Sequence, residues 1–196
     1  VPVRRQRGGG RSRGHDAEGS RSSAAVAVVR KRQGVSLDEL FAPAVESRGT
    51  WLALDRLQDP HNVGAIFRSA SFFGVRGVVL TRNQSAPLSG TVYDVASGGI
   101  EYVPFSVVSN LARALEQSRQ SNLWVLGTSE RAEEDLAEVD RERNWLVVIG
   151  NEEKGLRRLT LKNCDAVCRI APRGPTGSLN ASVATAVVLA MLERGA

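Results

Sequence analysis

Cysteine, histidine and aromatic residues are scarce in this 196-residue chain, which has two Cys, two His, three Trp, two Tyr and five Phe. Cys164 and Cys168 are separated by three residues in an apolar run, the wrong spacing for a CxxC redox or zinc element, and are read as reduced, mostly buried packing residues. With only His15 and His61 besides, no four-ligand metal site can be assembled. No apolar stretch reaches the roughly 18 residues of a membrane span, and the N-terminus lacks the apolar core of a signal peptide. A cytoplasmic protein without a membrane partner is therefore expected. GxxxxGK[ST], GxGxxG after a strand and GxSxG are also missing, which argues against nucleotide hydrolysis, ordinary dinucleotide binding and a hydrolase nucleophile elbow.

What is present is enough for one core. Apolar residues make up 42% of the chain, and a single domain of about 150 residues is expected. The net charge of +5 is unevenly placed: residues 1–32 hold nine Lys and Arg against Asp16 and Glu18, and the rest holds 17 against 19 acids. The stretch from Arg4 to Arg13, basic, glycine-rich and free of aromatics, cannot support a core. Residues 1–35 are expected to form a disordered arm with nucleic acid as its acidic partner. Val1 stands where a Met would begin a chain, leaving room for a lost upstream domain.

Residues 36–50 are read as a linker helix, with Ser36 and Glu39 in capping-box spacing, and residues 51–196 as the domain. There, short apolar runs alternate with helical patterns. Strands are expected at 51–57, 77–81, 101–105, 123–127, 145–150 and 166–170. Helices are expected from Asn62, at 88–97 and 110–120, as an acidic helix at 132–138, near 156–161 and at 179–193. This is the pattern of an α/β domain with a mostly parallel sheet, whose ligands bind at the carboxyl ends of the strands.

Three segments stand out. In Asp59-Pro60-His61-Asn62-Val63-Gly64-Ala65-Ile66-Phe67-Arg68, residues Val63, Ile66, Phe67, Ala70 and Phe73 form a core-facing stripe, Asn62 is placed to cap the helix, and Arg68 lies off the stripe. Gly64 costs about 1 kcal/mol relative to alanine, and room for a ligand beside Arg68 is the simplest compensation. Gly150-Asn151-Glu152 ends an apolar strand and offers backbone to a ligand, although a plain capped turn has the same composition. The stretch from Pro172 to Asn180 is rich in Pro and Gly and enters a helix of small and apolar residues, which must be buried inside the domain or against a second subunit.

Taken together and in this order, the first segment, Val148-Ile149-Gly150-Asn151-Glu152-Glu153-Lys154-Gly155-Leu156 and Ser178-Leu179-Asn180-Ala181-Ser182-Val183-Ala184 resemble the SpoU/TrmH family of RNA ribose 2′-O-methyltransferases in the SPOUT superfamily. The resemblance covers roughly residues 51–193. Motif spacing and the stretch from Val95 to Pro104 look closest to the branch that modifies a guanosine of large-subunit rRNA. The resemblance implies an α/β fold with helices on both faces of a mostly parallel sheet, a C-terminal trefoil knot and a homodimer. It also implies S-adenosylmethionine as methyl donor, no metal, and structured RNA as substrate, rRNA ahead of tRNA.

Residue by residue, it places Gly127, Thr128, Gly150, Asn151, Ile170, Pro172 and Leu179 against the cofactor. Arg68, Asn62, Glu152, Ser178 and Asn180 fall at catalytic or essential polar positions. Ile170-Ala171-Pro172-Arg173 departs from the family's Ile-Pro-Met and adds a charge near the pocket. The ribosomal-protein-like domain upstream in many relatives has no counterpart here beyond the basic arm. The family proposal makes Arg68 a general base. The reluctance of a guanidinium to give up its proton favours instead phosphate binding and stabilisation of charge on the 2′-oxygen. Asn62 would orient that oxygen, Glu152 would hold Asn62 or Arg68, Gly64 would clear space for the ribose and phosphate, and Ser178 and Asn180 would shape the pocket. A non-catalytic RNA-binding assembly factor, a tRNA 2′-O-methyltransferase and a base methyltransferase of the same superfamily are the alternatives.

Overall fold

The computed structural model describes residues 32–193, so all of the basic arm at 1–35 except its last four residues lies outside the described residues. Four-residue runs such as Trp51-Leu52-Ala53-Leu54 and Leu146-Val147-Val148-Ile149 are apolar on both sides of the chain, as central parallel strands require. They form β1 (Thr50–Leu54), β2 (Gly77–Thr81), β3 (Phe105–Val108), β4 (Trp124–Thr128), β5 (Glu134–Asp135), β6 (Trp145–Ile149) and β7 (Ala166–Arg169). The seven strands make one sheet in the order β3-β2-β1-β6-β4-β7-β5, with every pairing parallel.

Side chains alternate across this sheet with period two, dividing the interior into two cores. Leu52, Leu54, Val78, Val147 and Ile149 face one side and Trp51, Ala53, Val79, Leu146 and Val148 the other. The first side is covered by α2 (Pro60–Phe72), α3 (Gly90–Ala96), α4 (Gly99–Tyr102) and α7 (Ala181–Leu192). The second is covered by α1 (Leu37–Phe41), α5 (Leu111–Gln120) and, through Leu161, α6 (Arg158–Lys162). Helices therefore lie on both faces of the sheet. The Ser36 capping box forms, and the helix it starts buries Leu40 and Phe41 in the second core, where the Trp51 indole donates to the Leu40 carbonyl at 2.8 Å.

Four local expectations are corrected. Asp59, not Asn62, caps α2: its carboxylate accepts from the His61 amide at 2.8 Å, and Pro60 at the first helical position supplies the helical φ. Residues 101–105 do not form one strand. Left-handed Ser97 and Gly98 end α3 and restart the chain as α4, and β3 begins only at Phe105, after Pro104. The acidic stretch at 132–138 is a two-residue edge strand followed by a 3-10 turn that Asp135 caps. Leu136 is its one buried apolar side chain, too little to anchor a helix. Finally, Gly64 does not open space beside Arg68. A Cβ there would lie 2.7 Å from Val95 Cβ and 2.8 Å from the Val92 carbonyl, so the missing side chain lets α3 pack against α2.

Cys164 and Cys168 are free thiols, and burial pushes both up to about 12, with Asp165 beside Cys164 and Glu134 beside Cys168 adding to it. No helix among the described residues is long and apolar enough to cross a membrane.

Candidate active site

The carboxyl ends of β4, β6 and β7 open into a cavity of about 830 Å³, closed on its other sides by the loop after β6, the 170–179 segment and the start of α7. That is the size range of small-molecule and cofactor sites. Its floor is fixed by Gly150. A Cβ there would meet Gly155 C at 2.4 Å and the Leu156 amide nitrogen at 2.5 Å, because the chain doubles back at once. Asn151 and Gly155 close the doubled loop with paired backbone bonds of 3.1 and 2.9 Å, and Gly155 turns it at φ +64°. The Asn151 side-chain oxygen accepts from the Glu153 and Lys154 amides, while its nitrogen donates to the Arg56 carbonyl at 2.9 Å.

Glu152 joins this loop to the start of α2. Its carboxylate accepts from the Asp59 amide at 3.1 Å, the Gln58 amide at 3.3 Å, Asn62 Nδ2 at 3.2 Å and Asn151 Nδ2 at 3.2 Å. Burial by itself raises its pKa, but hydrogen bonds from its own amide, the Asp59 amide, Asn62 and the Gln58 amide outweigh that and hold it below the ordinary glutamate value. A depressed folded pKa stabilises the fold above the unfolded value and loses that contribution as pH falls through the folded one. The Glu152→Gln variant is accordingly expected to melt lower than wild type at neutral pH. The gap should narrow on acidification from about pH 6 to about pH 3. A pH-independent gap in melting scans would remove the carboxylate charge from the account.

Of the residues assigned to a cofactor, Thr128, Gly150, Asn151, Ile170, Pro172 and Leu179 line the cavity, and so do Glu152 and Ser178. Gly127 does not: it lies in β4 with its missing side chain against Cys164 Sγ at 2.8 Å and Leu156 at 3.0 Å. The Thr128 hydroxyl donates to the Val148 carbonyl at 3.0 Å. Asn180 is the N-cap of α7, its oxygen accepting from the Ser182 and Val183 amides and the Ser182 hydroxyl. Asn62 is buried and reaches the cavity only through Glu152. Arg68 is exposed on α2 and outside the cavity lining. It stands six positions after Asn62, about 9 Å along the helix and on a different face.

One constellation escaped the sequence reading. Asp55, 1% exposed at the end of β1, accepts from Arg157 Nε at 3.1 Å and the Thr160 hydroxyl at 2.7 Å. Arg157 Nη2 sits 2.8 Å from its other oxygen as a charge contact. The only sequence signal was an acid terminating an apolar strand. Its partners lie 102 and 105 residues away. This pair anchors α6, and with it the far side of the 150–156 loop, to the strand that leads into α2.

Residues 49–190 match the SpoU rRNA Methylase family. The chain is 40% identical over 174 residues to the 23S rRNA (guanosine-2′-O-)-methyltransferase RlmB of Bordetella pertussis, covering 88% of this chain and 71% of that one. It is 46% identical over 138 residues to the protein of the same name from Pseudomonas aeruginosa, covering 70% of this chain and 56% of that one. Among solved structures, an AdoMet-bound rRNA methyltransferase from Sinorhizobium meliloti superposes with a TM-score of 0.76 at 25% identity, over 84% of this chain and 62% of that one. The chain thus spans between somewhat over half and about seven-tenths of the length of these proteins.

Proposed function

From its membership of the SpoU rRNA Methylase family, to which this chain belongs, we propose that it methylates a ribose 2′-hydroxyl of rRNA, with S-adenosylmethionine as methyl donor and guanosine as the target nucleoside. The observation that carries this reading is the cavity built on Gly150. Ile149, Leu156 and Val188 give it apolar wall for an adenine. Its rim carries acids at Glu130, Glu152 and Glu153 and cations at Arg131, Lys154 and Arg173, which suits a ligand bearing a sulfonium, an ammonium and a carboxylate. The AdoMet-bound rRNA methyltransferase from Sinorhizobium meliloti supports the same donor.

The donor supplies an electrophilic methyl on a sulfonium; the carbon–sulfur bond breaks as the carbon–oxygen bond forms, and the hydroxyl proton leaves to solvent. The chain's own task is positioning. Gly150 and the 170–172 backbone hold one partner. Glu152 accepts from the buried Asn62, and orienting the ribose oxygen is assigned to this pair. Arg68, outside its own chain's cavity, is assigned to the site of a second copy, where it binds the phosphate adjoining the target and stabilises negative charge growing on the 2′-oxygen. Ser178 at the cavity wall and Asn180 at the α7 cap set the shape of the third loop.

A homodimer belongs to the same proposal. Arg68 lies outside the cavity of its own chain, and Leu179 and Val183, each 49% exposed beside that cavity, offer apolar surface to a second copy. The trefoil knot is proposed with it. Support comes from the path of α7, which leaves β7, packs on α2 and finishes at the start of β1, where the Leu192 carbonyl accepts from Arg48 Nη2 at 2.9 Å.

Incubating the protein with S-adenosylmethionine labelled on its methyl group and with unmodified 23S rRNA tests the activity. The reading expects label in RNA that protects one linkage from alkaline cleavage. Label that leaves every linkage alkali-sensitive would favour base methylation, and no label in any RNA would favour an assembly factor. In the same assay Arg68→Lys is expected to lower single-turnover methylation about tenfold or more, since lysine cannot form the planar two-pronged contact. Normal turnover in that variant would remove the bidentate role.

A further inference from the structure

A second, smaller hollow of about 190 Å³ opens at the carboxyl ends of β1, β2 and β3 and belongs to none of the chemistry above. Arg56, Thr81, Asn83, Ser109, Asn110 and Arg157 provide its polar lining, and none of its lining residues is acidic. The two cations differ. Arg157 already answers the buried Asp55, whereas the Arg56 guanidinium has no hydrogen-bond or ion-pair partner among the described residues. The hollow therefore carries an uncompensated positive charge in a half-enclosed place.

Arg56 is also held there against its backbone preference. Its φ is +61°, in the left-handed region that glycine enters freely and side-chain-bearing residues avoid. Two bonds fix it. Its amide donates to the Thr81 hydroxyl at 2.9 Å, and its carbonyl accepts from Asn151 Nδ2 at 2.9 Å. Asn151 belongs to the doubled loop that carries Glu152, so one side chain ties the hollow to the rim of the larger cavity. A strained conformation fixed on both sides and aiming an unpaired cation into a polar hollow is characteristic of a binding position. The first turn of α5, at Leu111 and Ala112, faces the same space and adds a dipole favourable to an anion.

We propose that this hollow is a phosphate subsite on the RNA path, in which Arg56 grips a backbone phosphate outside the nucleotide that receives the methyl group. The proposal rests on RNA being the substrate of the neighbouring cavity. The Arg56 guanidinium, the Ser109 hydroxyl and the Asn83 and Asn110 side-chain amides on this lining are the usual donors to phosphate oxygens. Such a contact supplies affinity and register without reading sequence.

Arg56→Gly tests it, because glycine removes the cation while fitting the left-handed backbone. The variant is expected to melt no lower than wild type. Its affinity for deproteinised 23S rRNA should nonetheless fall about threefold to tenfold at low salt, and its plot of log affinity against log salt should be shallower by about one. Arg56→Lys, which retains the charge, should keep the wild-type slope. Equal rRNA affinity and equal slope in Arg56→Gly and wild type would overturn the subsite. Measuring methyl transfer by the wild type in the same preparations separates the two claims. A wild type that transfers no methyl while Arg56→Gly still loses rRNA affinity sinks the methyltransferase reading and leaves the phosphate subsite standing.

Discussion

Alanine at position 150 is expected to lower the affinity for S-adenosylmethionine about 100-fold or more, close to 2.7 kcal/mol. The new methyl would lie 2.4 Å from Gly155 C and 2.5 Å from the Leu156 amide nitrogen, both backbone atoms with no rotamer to yield. Nor can the loop slide. Asn151 and Gly155 clamp it to itself, Asn151 ties it to Arg56, and Glu152 ties it to Gln58, Asp59 and Asn62. The strain must displace residues 150–156, which form both the cavity floor and the anchor of Asn62. An overpacking cost of about 1–3 kcal/mol in folding stability should accompany it. Calorimetric titration and urea unfolding on the same sample read both effects. Wild-type affinity in Gly150→Ala would mean that the donor does not lie on this floor.

Arg157→Ala is expected to cost about 3–5 kcal/mol of stability, a large share of the roughly 5–15 kcal/mol available to a domain. Removing the guanidinium leaves the Asp55 carboxylate, 1% exposed, with the Thr160 hydroxyl as its remaining side-chain partner among the described residues. The pair itself does not have to be strongly stabilising for this to hold, since the penalty comes from the abandoned buried charge. A double-mutant cycle with Asp55→Ala separates the two. Arg157→Ala alone should be worse than, or equal to, the double variant in urea unfolding. A loss below about 1 kcal/mol would place the pair among solvated surface contacts.

How much of this was legible in the sequence depended on how local each feature is. The parallel sheet could be read because β1, β2 and β6 are buried at every position and apolar but for Thr50 and Thr81 at strand ends. The loops after β6 and β7 could be found because glycine and polar residues follow those strands at 150–155 and 172–180. The Ser36 capping box needs only residues three apart. Features that depend on distant partners were misread or missed. Gly64 is explained by Val92 and Val95 of another helix, and Asp55 by Arg157. The 101–105 segment is a short apolar run that suits a strand, and only Gly99 lying against the Phe67 carbonyl and Arg68 Cα shows why a helical turn sits there. Among the site residues, motif membership grouped Arg68 with Glu152, yet the folded chain sets them apart and leaves Asn62 as the link.

The central claim is a chemical one, that the oxygen of a ribose receives the methyl group. Mass spectrometry of nucleosides from 23S rRNA treated with this protein and S-adenosylmethionine tests it most directly. The account predicts a gain of 2′-O-methylguanosine that is absent with the Gly150→Ala variant. A gain of a base-methylated nucleoside instead, or no new methylated nucleoside at all, would contradict it.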